Sequence, residues 1–308
     1  MAGANRIAVI FDFDDTLAED STAALISYYS DPERKDPTNK AAQVFYDEAA
    51  DLVSHGWDPP LAYLTLLVDK VKSGALPQIR KEDLNKIGRE FVIIHKGVDQ
   101  FLTELRQTFE TDPLIIEEKL TLEYYIVSGG IGDVVRSAPI AHHFKEIWAC
   151  EYDFDDGGVI ARPKAVISFT EKTRYLFLIN KGISREQSYI TPYAVNVDMP
   201  LEDRPVPLSH MIYVGDGPSD IPCMSVLEKA KPKGNSILVW GEKTVNKAWE
   251  IGERGKKCPR DYEKWGKQFI IGGVMTVARN IASERSEARR KRFGKNVGYS
   301  QSGKPSQN

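Results

Sequence analysis

Near its amino terminus the chain reads IAVIFDFDDTL from Ile7 to Leu17, an apolar run that stops abruptly at a cluster of acids. Ile7, Val9, Ile10 and Phe11 leave no polar face, the pattern of a strand covered on both sides within a parallel sheet. Asp12 then stands at the strand's carboxyl end, where open α/β sheets place their ligands. Asp12 and Asp14, one residue apart, can approach the same cation if the chain curls into a loop. With Mg²⁺ between them and a phosphate ester, Asp12 becomes a nucleophile, because the metal screens the repulsion between two anions. Asp14 can hold the leaving-group proton, and Thr16 offers a hydroxyl that fixes the loop. Taken alone, the cluster reads more readily as a turn and a helix cap. The rest of the chain decides between the two.

From Glu19 to Ile94 the periodicity turns helical: STAALISYY, KAAQVFYDEAADLVSHG, PPLAYLTLLVDKVKSG and KEDLNKIGREFVII, divided by breaks such as SDPERKDPTNK and HGWDPP. A single crossover from strand to helix rarely needs so much chain, so these residues read as a helical insertion over the acidic loop. A helix beginning at Val98, with Val98, Phe101, Leu102 and Leu105 on one face, returns to the sheet. Leu122 to Val127 predicts a second strand, ending at Ser128-Gly129-Gly130 and followed by a helix through His143. A third strand is expected from Glu146 to Glu151, and a hairpin turning at Gly157-Gly158. A helix over Thr170 to Lys181, a Pro-rich irregular piece, a strand MIYV ending at Gly215-Asp216 and a last strand from Ser236 to Trp240 follow. Strands alternating with helices predict an α/β fold with a doubly wound parallel sheet. The division expected is an α/β core from residues 1–18 and 95–283, a helical cap over 19–94, and a basic, disordered tail over 284–308.

Three further strand ends or helix starts carry groups suited to phosphoryl transfer. Ser128, with the amides of Gly129 and Gly130 at a helix start, would form an anion site, although a plain N-cap has the same signature. Lys172 falls in the first turn of its helix, where a cation opposes the helix dipole unless an anion is near; there it would neutralise phosphate and the Asp12 carboxylate together. Lys164, in RPKAV, is the second candidate for that role. Asp216 and Asp220, in YVGDGPSDIP, bring two more carboxylates to the same edge and would complete an oxygen-rich Mg²⁺ site.

In this order FDFDDT, VSGG, the K-x-x-x-L of Lys172 to Leu176, and GDGPSD resemble the four motifs of the haloacid dehalogenase superfamily of hydrolases, over residues 7 to 240. The SGG form of the second motif, the helical insertion after the first and the hairpin before the third are similar to the phosphoserine phosphatase branch. The resemblance implies that Asp12 attacks phosphorus to form an aspartyl-phosphate, and that Asp14 protonates the leaving alcohol and then activates water. It implies that Ser128 and Lys172 hold the phosphoryl group, with Thr16, Gly129 and Gly130 on the substrate side. Mg²⁺ would be held by Asp12, the Asp14 backbone carbonyl and Asp216, with Asp220 binding it directly or orienting its waters. A cap closing over such a site favours a small phosphorylated metabolite. The length of the insertion and the segment after Trp240 depart from the branch, which puts serine metabolism in doubt. A phosphotransferase using the same Asp12, and a catalytically silent binding protein, are the alternatives.

With 308 residues, 42% hydrophobic and 28% charged residues and a formal net charge of -3, the chain has the composition of a globular protein. The opening MAGANRIAVIF lacks the pattern of a signal peptide, and the best apolar window, FIIGGVMTVARNIA, meets Arg279 too soon to span a bilayer. A cytoplasmic protein without membrane partners is expected. Cys150, Cys223 and Cys258 have neither disulfide nor metal spacing and read as reduced thiols, the first two in core packing. The basic tail reads as solvated chain, so no nucleic-acid partner is expected. His142-His143, late in a helix beside Phe144, reads as a helix-end or packing pair.

Overall fold

In the computed structural model the chain is described over residues 5–36, 38–241 and 256–296. The apolar run forms β1 (Arg6–Phe11), with Ile7 to Phe11 all 0% exposed. It lies inside a seven-stranded sheet of order β4-β3-β2-β1-β5-β6-β7, with β2 (Thr121–Ile131), β3 (Glu146–Phe154), β4 (Ile160–Ala165), β5 (Met211–Gly215), β6 (Asn235–Trp240) and β7 (Lys256–Pro259). Every pairing is parallel except β3 with β4, the expected hairpin, where the turn falls at Asp155 to Val159. The chain winds outward from β1 to β4, returns to β5 and winds the other way, so β1 and β5 flank the switch point where such sheets bind ligands. Register makes this concrete. Phe11 pairs with Ile126 on one side and Val214 on the other, so Asp12, Ser128 and Asp216 lie within one residue of the same level across the sheet.

Between β1 and α5 run α1 (Ser21–Ser30), α2 (Lys40–Ser54), α3 (Pro59–Lys72) and α4 (Lys81–Glu90); α5 itself is Val98–Glu110. Asp20 caps α1 by accepting from the Ala23 amide, and Asp58 caps α3 by accepting from the Leu61 amide ahead of two prolines. Then come α6 (Pro113–Glu117), α7 (Gly132–Ser137), α8 (Glu171–Lys181), α9 (Arg185–Ile190) and α10 (Ile221–Lys229). The helix expected from Gly130 through His143 is a correction. Strand β2 runs on to Ile131, with a shift in register between Val127 and Ile131. The Ala138–Pro139 step then ends α7, because a residue before proline is pushed out of the helical region; Ala138 has ψ 149. A separate turn carries Ala141–His143.

Beyond Gly241 the periodicity predicts two or three helices, amphipathic from about Phe269 to Ala282, and helices are found there; the strand ahead of them is what periodicity did not show. Strand β7 extends the sheet, followed by α11 (Tyr262–Gly266), a π-helical turn and α12 (Gly272–Asn296). The tail boundary at residue 283 is also corrected, since α12 runs to Asn296. Its basic side chains meet acids at the two ends of α6: Arg279 donates to Asp112 at 2.7 Å and Arg289 lies 2.9 Å from Glu118. Residues 297–308 lie outside the described residues. No helix among the described residues is long and apolar enough to cross a membrane. All three cysteines are buried and free.

At Gly88 the helical insertion meets the sheet-covering layer backbone to backbone: a Cβ there would collide with the Val134 carbonyl of α7 and approach the Ser137 Cβ to 2.9 Å. Gly88→Ala is therefore expected to destabilise the protein by about 1–3 kcal/mol, the range for overpacking. A lowered urea midpoint at unchanged m-value reports it; a native midpoint would show that α4 and α7 do not approach so closely.

Candidate active site

The acidic loop is built on one carbonyl. The amides of Thr16, Leu17 and Ala18 all donate to the Phe13 oxygen, which curls the chain back on itself immediately after β1. Asp15 takes φ 56, a left-handed conformation that Asp tolerates better than most residues. The Asp12 amide donates to Val214 O at 2.9 Å and its carboxylate accepts from the Phe13 amide at 2.8 Å, so the side chain is fixed at the strand end.

Helix α8 delivers Lys172 into this corner. Its ammonium lies 2.8 Å from Asp12 Oδ2 and 2.8 Å from Asp220 Oδ1, with the lysine only 2% exposed. Lys164, the other candidate, is exposed on β4. Asp220 is wholly buried and crowded with donors: Tyr213 OH at 2.7 Å and Lys172 on Oδ1, the Gly217 amide at 3.1 Å on Oδ2. With those donors in place, Asp220 holds Lys172 and the β5 loop, and its capacity to take a metal directly is reduced. Asp216 accepts from Thr16 Oγ1 at 3.2 Å and lies 3.8 Å from Arg260 Nη2.

Asp14 turns the other way. Its Oδ1 accepts from the Ser21 amide at 2.7 Å, and Ser128 Oγ reaches its Oδ2 at 3.4 Å. The SGG segment is not at a helix start as expected: it is the irregular end of β2, where the Gly130 amide donates back to Ser128 Oγ at 2.8 Å. Gly130 is needed for space, since a Cβ there would come within 2.5 Å of Asp14 Oδ2. Asp12, Asp14, Gly129, Lys172 and Asp216 line a cleft of about 350 Å³. Thr16, Ser128, Gly130 and Asp220 lie behind that wall, so Thr16 braces Asp216 rather than facing a ligand.

Burial sets the electrostatics. Loss of water pushes the Asp12 carboxyl above its ordinary range, Asp220 adds to the rise, and Lys172 opposes it. Desolvation, with the charge of Asp20, raises Asp14 to about 8; desolvation, with the charge of Asp220, raises Asp216 to about 8. Burial works against the Lys172 ammonium, yet Asp12 and Asp220 overcome it and hold its pKa above the usual lysine value. Oxygens of Asp12, Asp216 and Asp220 lie within 4.8 Å of one another. Hard carboxylate donors with surplus negative charge are the donor set that suits Mg²⁺.

Sequence reasoning passed over several of these groups. Arg260, just after β7, donates to Asp15 at 3.1 Å, and Tyr262 OH donates to the Thr16 carbonyl. Both lie beyond the stretch the motifs cover, where no pattern marked them. Tyr213 did carry a signal, because a phenol inside a fully buried strand needs a partner. His143, read as a packing residue, meets Asp99 at 2.8 Å, a pairing across 44 positions that spacing could not show.

No family model matches the chain. A protein of Borreliella burgdorferi described only as uncharacterized is 23% identical over 293 residues, covering 86% of this chain and 94% of that one. Among solved structures, a HAD family hydrolase from Salmonella enterica serovar Typhi superposes with a TM-score of 0.50 at 14% identity, over 85% of this chain and 68% of that one. A phosphoserine phosphatase captured as a phospho-aspartyl intermediate analogue gives 0.46 at 16% identity, over 83% and 94%. The likeness to the Salmonella hydrolase is one of fold: the chain has the α/β fold of HAD family hydrolases.

The raised carboxyls fix a sign. Asp216 stays protonated in the folded protein between its ordinary value of 3.8 and about 8, where the unfolded chain has lost the proton. The stability this confers is complete below pH 4 and is lost as pH rises through 8. In EDTA, Asp216→Asn is therefore expected to melt above the native protein at pH 8, with the gap closing at pH 5. A native melting temperature at or above that of the variant at both pH values would contradict the buried, unneutralised carboxyl.

Proposed function

We propose that the protein is a Mg²⁺-dependent phosphomonoesterase that hydrolyses a small phosphate ester through an aspartyl-phosphate on Asp12. The observation that carries this reading is the buried ammonium of Lys172, 2.8 Å from a carboxylate at the end of β1, facing a cleft that a second acid, Asp14, also lines. Asp12 and Asp216 would hold the metal together with the Asp14 backbone carbonyl, while Asp220 keeps Lys172 in place. When bound, Mg²⁺ would neutralise the phosphate and the carboxylates around it.

The chain's own groups account for the proton and bond changes. Lys172 offsets charge on Asp12 and on a phosphoryl oxygen beside it. An Asp12 oxygen attacks phosphorus, the bond from phosphorus to the ester oxygen breaks, and protonated Asp14 gives its proton to the leaving alcohol. The raised pKa of Asp14 suits it to carry that proton near neutral pH. Asp14, now ionised, takes a proton from the water that attacks the aspartyl-phosphate, releasing inorganic phosphate and restoring both carboxyls. Ser128, 3.4 Å from Asp14, orients it. Helices α1 to α4 serve as a cap, with Tyr63 of α3 donating to the Gly129 carbonyl across the cleft and limiting access of bulk water.

Phosphate release from p-nitrophenyl phosphate and small phosphomonoesters in Mg²⁺ tests the proposal. EDTA should abolish it and added Mg²⁺ restore it. Asp12→Asn should remove turnover, and Asp14→Asn should lower kcat by about 10²–10⁴, the usual worth of general acid–base help. Turnover that survives Asp12→Asn, or its absence from every ester, would overturn the reading.

A further inference from the structure

Apart from the acids of the cleft, one other group of metal-binding side chains comes together among the described residues: Asp99, His142 and His143, whose donor atoms all lie within 4.8 Å of one another. None of the three lines the cleft. The carboxylate comes from α5, 44 positions away from His143, so only the fold assembles the group. Each donor stands on an element that packing holds in place. The turn Ala141–His143 is pinned on either side, by Ile140 at 2% exposure and by Phe144, whose ring meets Phe11 edge-on at 5.9 Å. The His143 amide donates to the Ile140 carbonyl at 3.1 Å and the Phe144 amide to that of Ala141 at 3.2 Å. Asp99 belongs to the first turn of α5, between the buried Val98 and Phe101. Arg106, two turns further on, reaches the His143 carbonyl at 3.5 Å and ties the helix to the turn.

Hydrogen bonding prepares the histidines as ligands. A carbonyl oxygen can only accept, so His142 Nδ1, 2.9 Å from the Pro139 carbonyl, carries a hydrogen and leaves the ring's lone pair on Nε2. Ligand histidines are characteristically oriented in this way, the second nitrogen donating to a carbonyl or carboxylate. His143 Nε2 meets Asp99 Oδ1 at 2.8 Å. Two donors on one tetrahedral zinc ion, with bonds of about 2.0–2.1 Å, stand about 3.3–3.4 Å apart, so this pair is already near that spacing. The two imidazole rings lie 4.1 Å apart, centroid to centroid. Asp99 and His142 are exposed, which leaves their side chains free to rotate and draw the three donors in around an ion.

We infer that Asp99, His142 and His143 bind a late first-row divalent cation of the Zn²⁺ class, with water completing the coordination, and that the ion clasps the start of α5 to the turn leading into β3. Two imidazoles and a carboxylate form a donor set that suits Zn²⁺, whereas the all-carboxylate group of the cleft suits Mg²⁺. The metal takes the place of the hydrogen between His143 Nε2 and Asp99, which the ring carries on Nδ1 instead. Because the donors meet only in the folded chain, the ion binds the native state in preference to the unfolded one and stabilises it. The site is independent of the phosphomonoesterase reading.

Equilibrium dialysis of the full-length protein, free of any polyhistidine tag and in excess Mg²⁺ to occupy the cleft, tests this with Zn²⁺ as the probe. Bound metal is read by atomic absorption and stability by thermal melting. The native chain should retain a single Zn²⁺ and melt at a higher temperature with Zn²⁺ than without it. His142→Ala and Asp99→Asn, both at exposed side chains, should melt close to the native protein in EDTA, yet bind Zn²⁺ at least about tenfold more weakly and lose the Zn²⁺-dependent rise in melting temperature. Asp12→Asn, in the cleft, should keep both the Zn²⁺ and the rise. Retention unchanged in His142→Ala and Asp99→Asn, retention lost in Asp12→Asn, or no Zn²⁺ held by the native chain each overturns the inference. The first of these places the ion elsewhere and the second places it in the cleft.

Discussion

One ammonium shared by two buried carboxylates is the contact on which the site depends. Lys172 reaches Asp12 and Asp220 at equal distance, and these come from β1, from the loop after β5 and from a helix 160 positions beyond β1's end. Burying any one of the three alone would be costly, because a charge taken from water without a partner loses several kcal/mol. Together they are tolerable, and the requirement that they meet fixes how α8 sits against the sheet. Tyr213 and the Gly217 amide complete the arrangement by occupying Asp220, so that Lys172 cannot drift away from Asp12. The geometry is thus locked from the β5 side, while the cleft face of Asp12 stays open to a ligand.

A second layer fastens the insertion to the sheet. Tyr63 bonds the backbone of Gly129, Tyr152 OH donates to Leu64 O at 2.9 Å, and Ser137 Oγ reaches Asn85 Oδ1 at 2.9 Å. The apolar interior of the helices is continuous with that of the sheet, through residues such as Leu64, Leu67 and Leu84. These contacts set the depth of the cleft. The carboxylates at the strand ends and the wall that the insertion gives the cleft are therefore held together by packing rather than by the acidic loop itself.

Much of this was legible in the sequence because it depends on short-range pattern. The apolar run of β1, the alternation of strands and helices, and acids or glycines at strand ends follow from local periodicity, and they place Asp12, Asp14, Lys172 and Asp216 near one edge. The functions of these residues are a proposal built on that placement. What escaped depends on contacts between distant segments. The SGG stretch reads as a helix start because glycine and serine serve both there and in an irregular strand; Val127 and Ile131 pair with Trp148 and Cys150 of β3 on either side of it and carry the strand through. The end of α12 reads as solvated chain because its apolar content is low, and only the acids of α6 give its arginines a place to dock. Strand β7 is too short to stand out, and Arg260 had no motif to announce it.

The loop that carries Asp12 belongs to the first twenty residues, yet it is clasped by Tyr262 and Arg260 near the other end of the chain. Strand β1 can pair with β2 as soon as the first half of the protein exists, but the clasp cannot close before the last strand has joined the sheet. During synthesis the central strands of the sheet thus precede this clasp, and until Arg260 and Tyr262 have emerged the loop after β1 lacks their hold on Asp15 and on the Thr16 carbonyl.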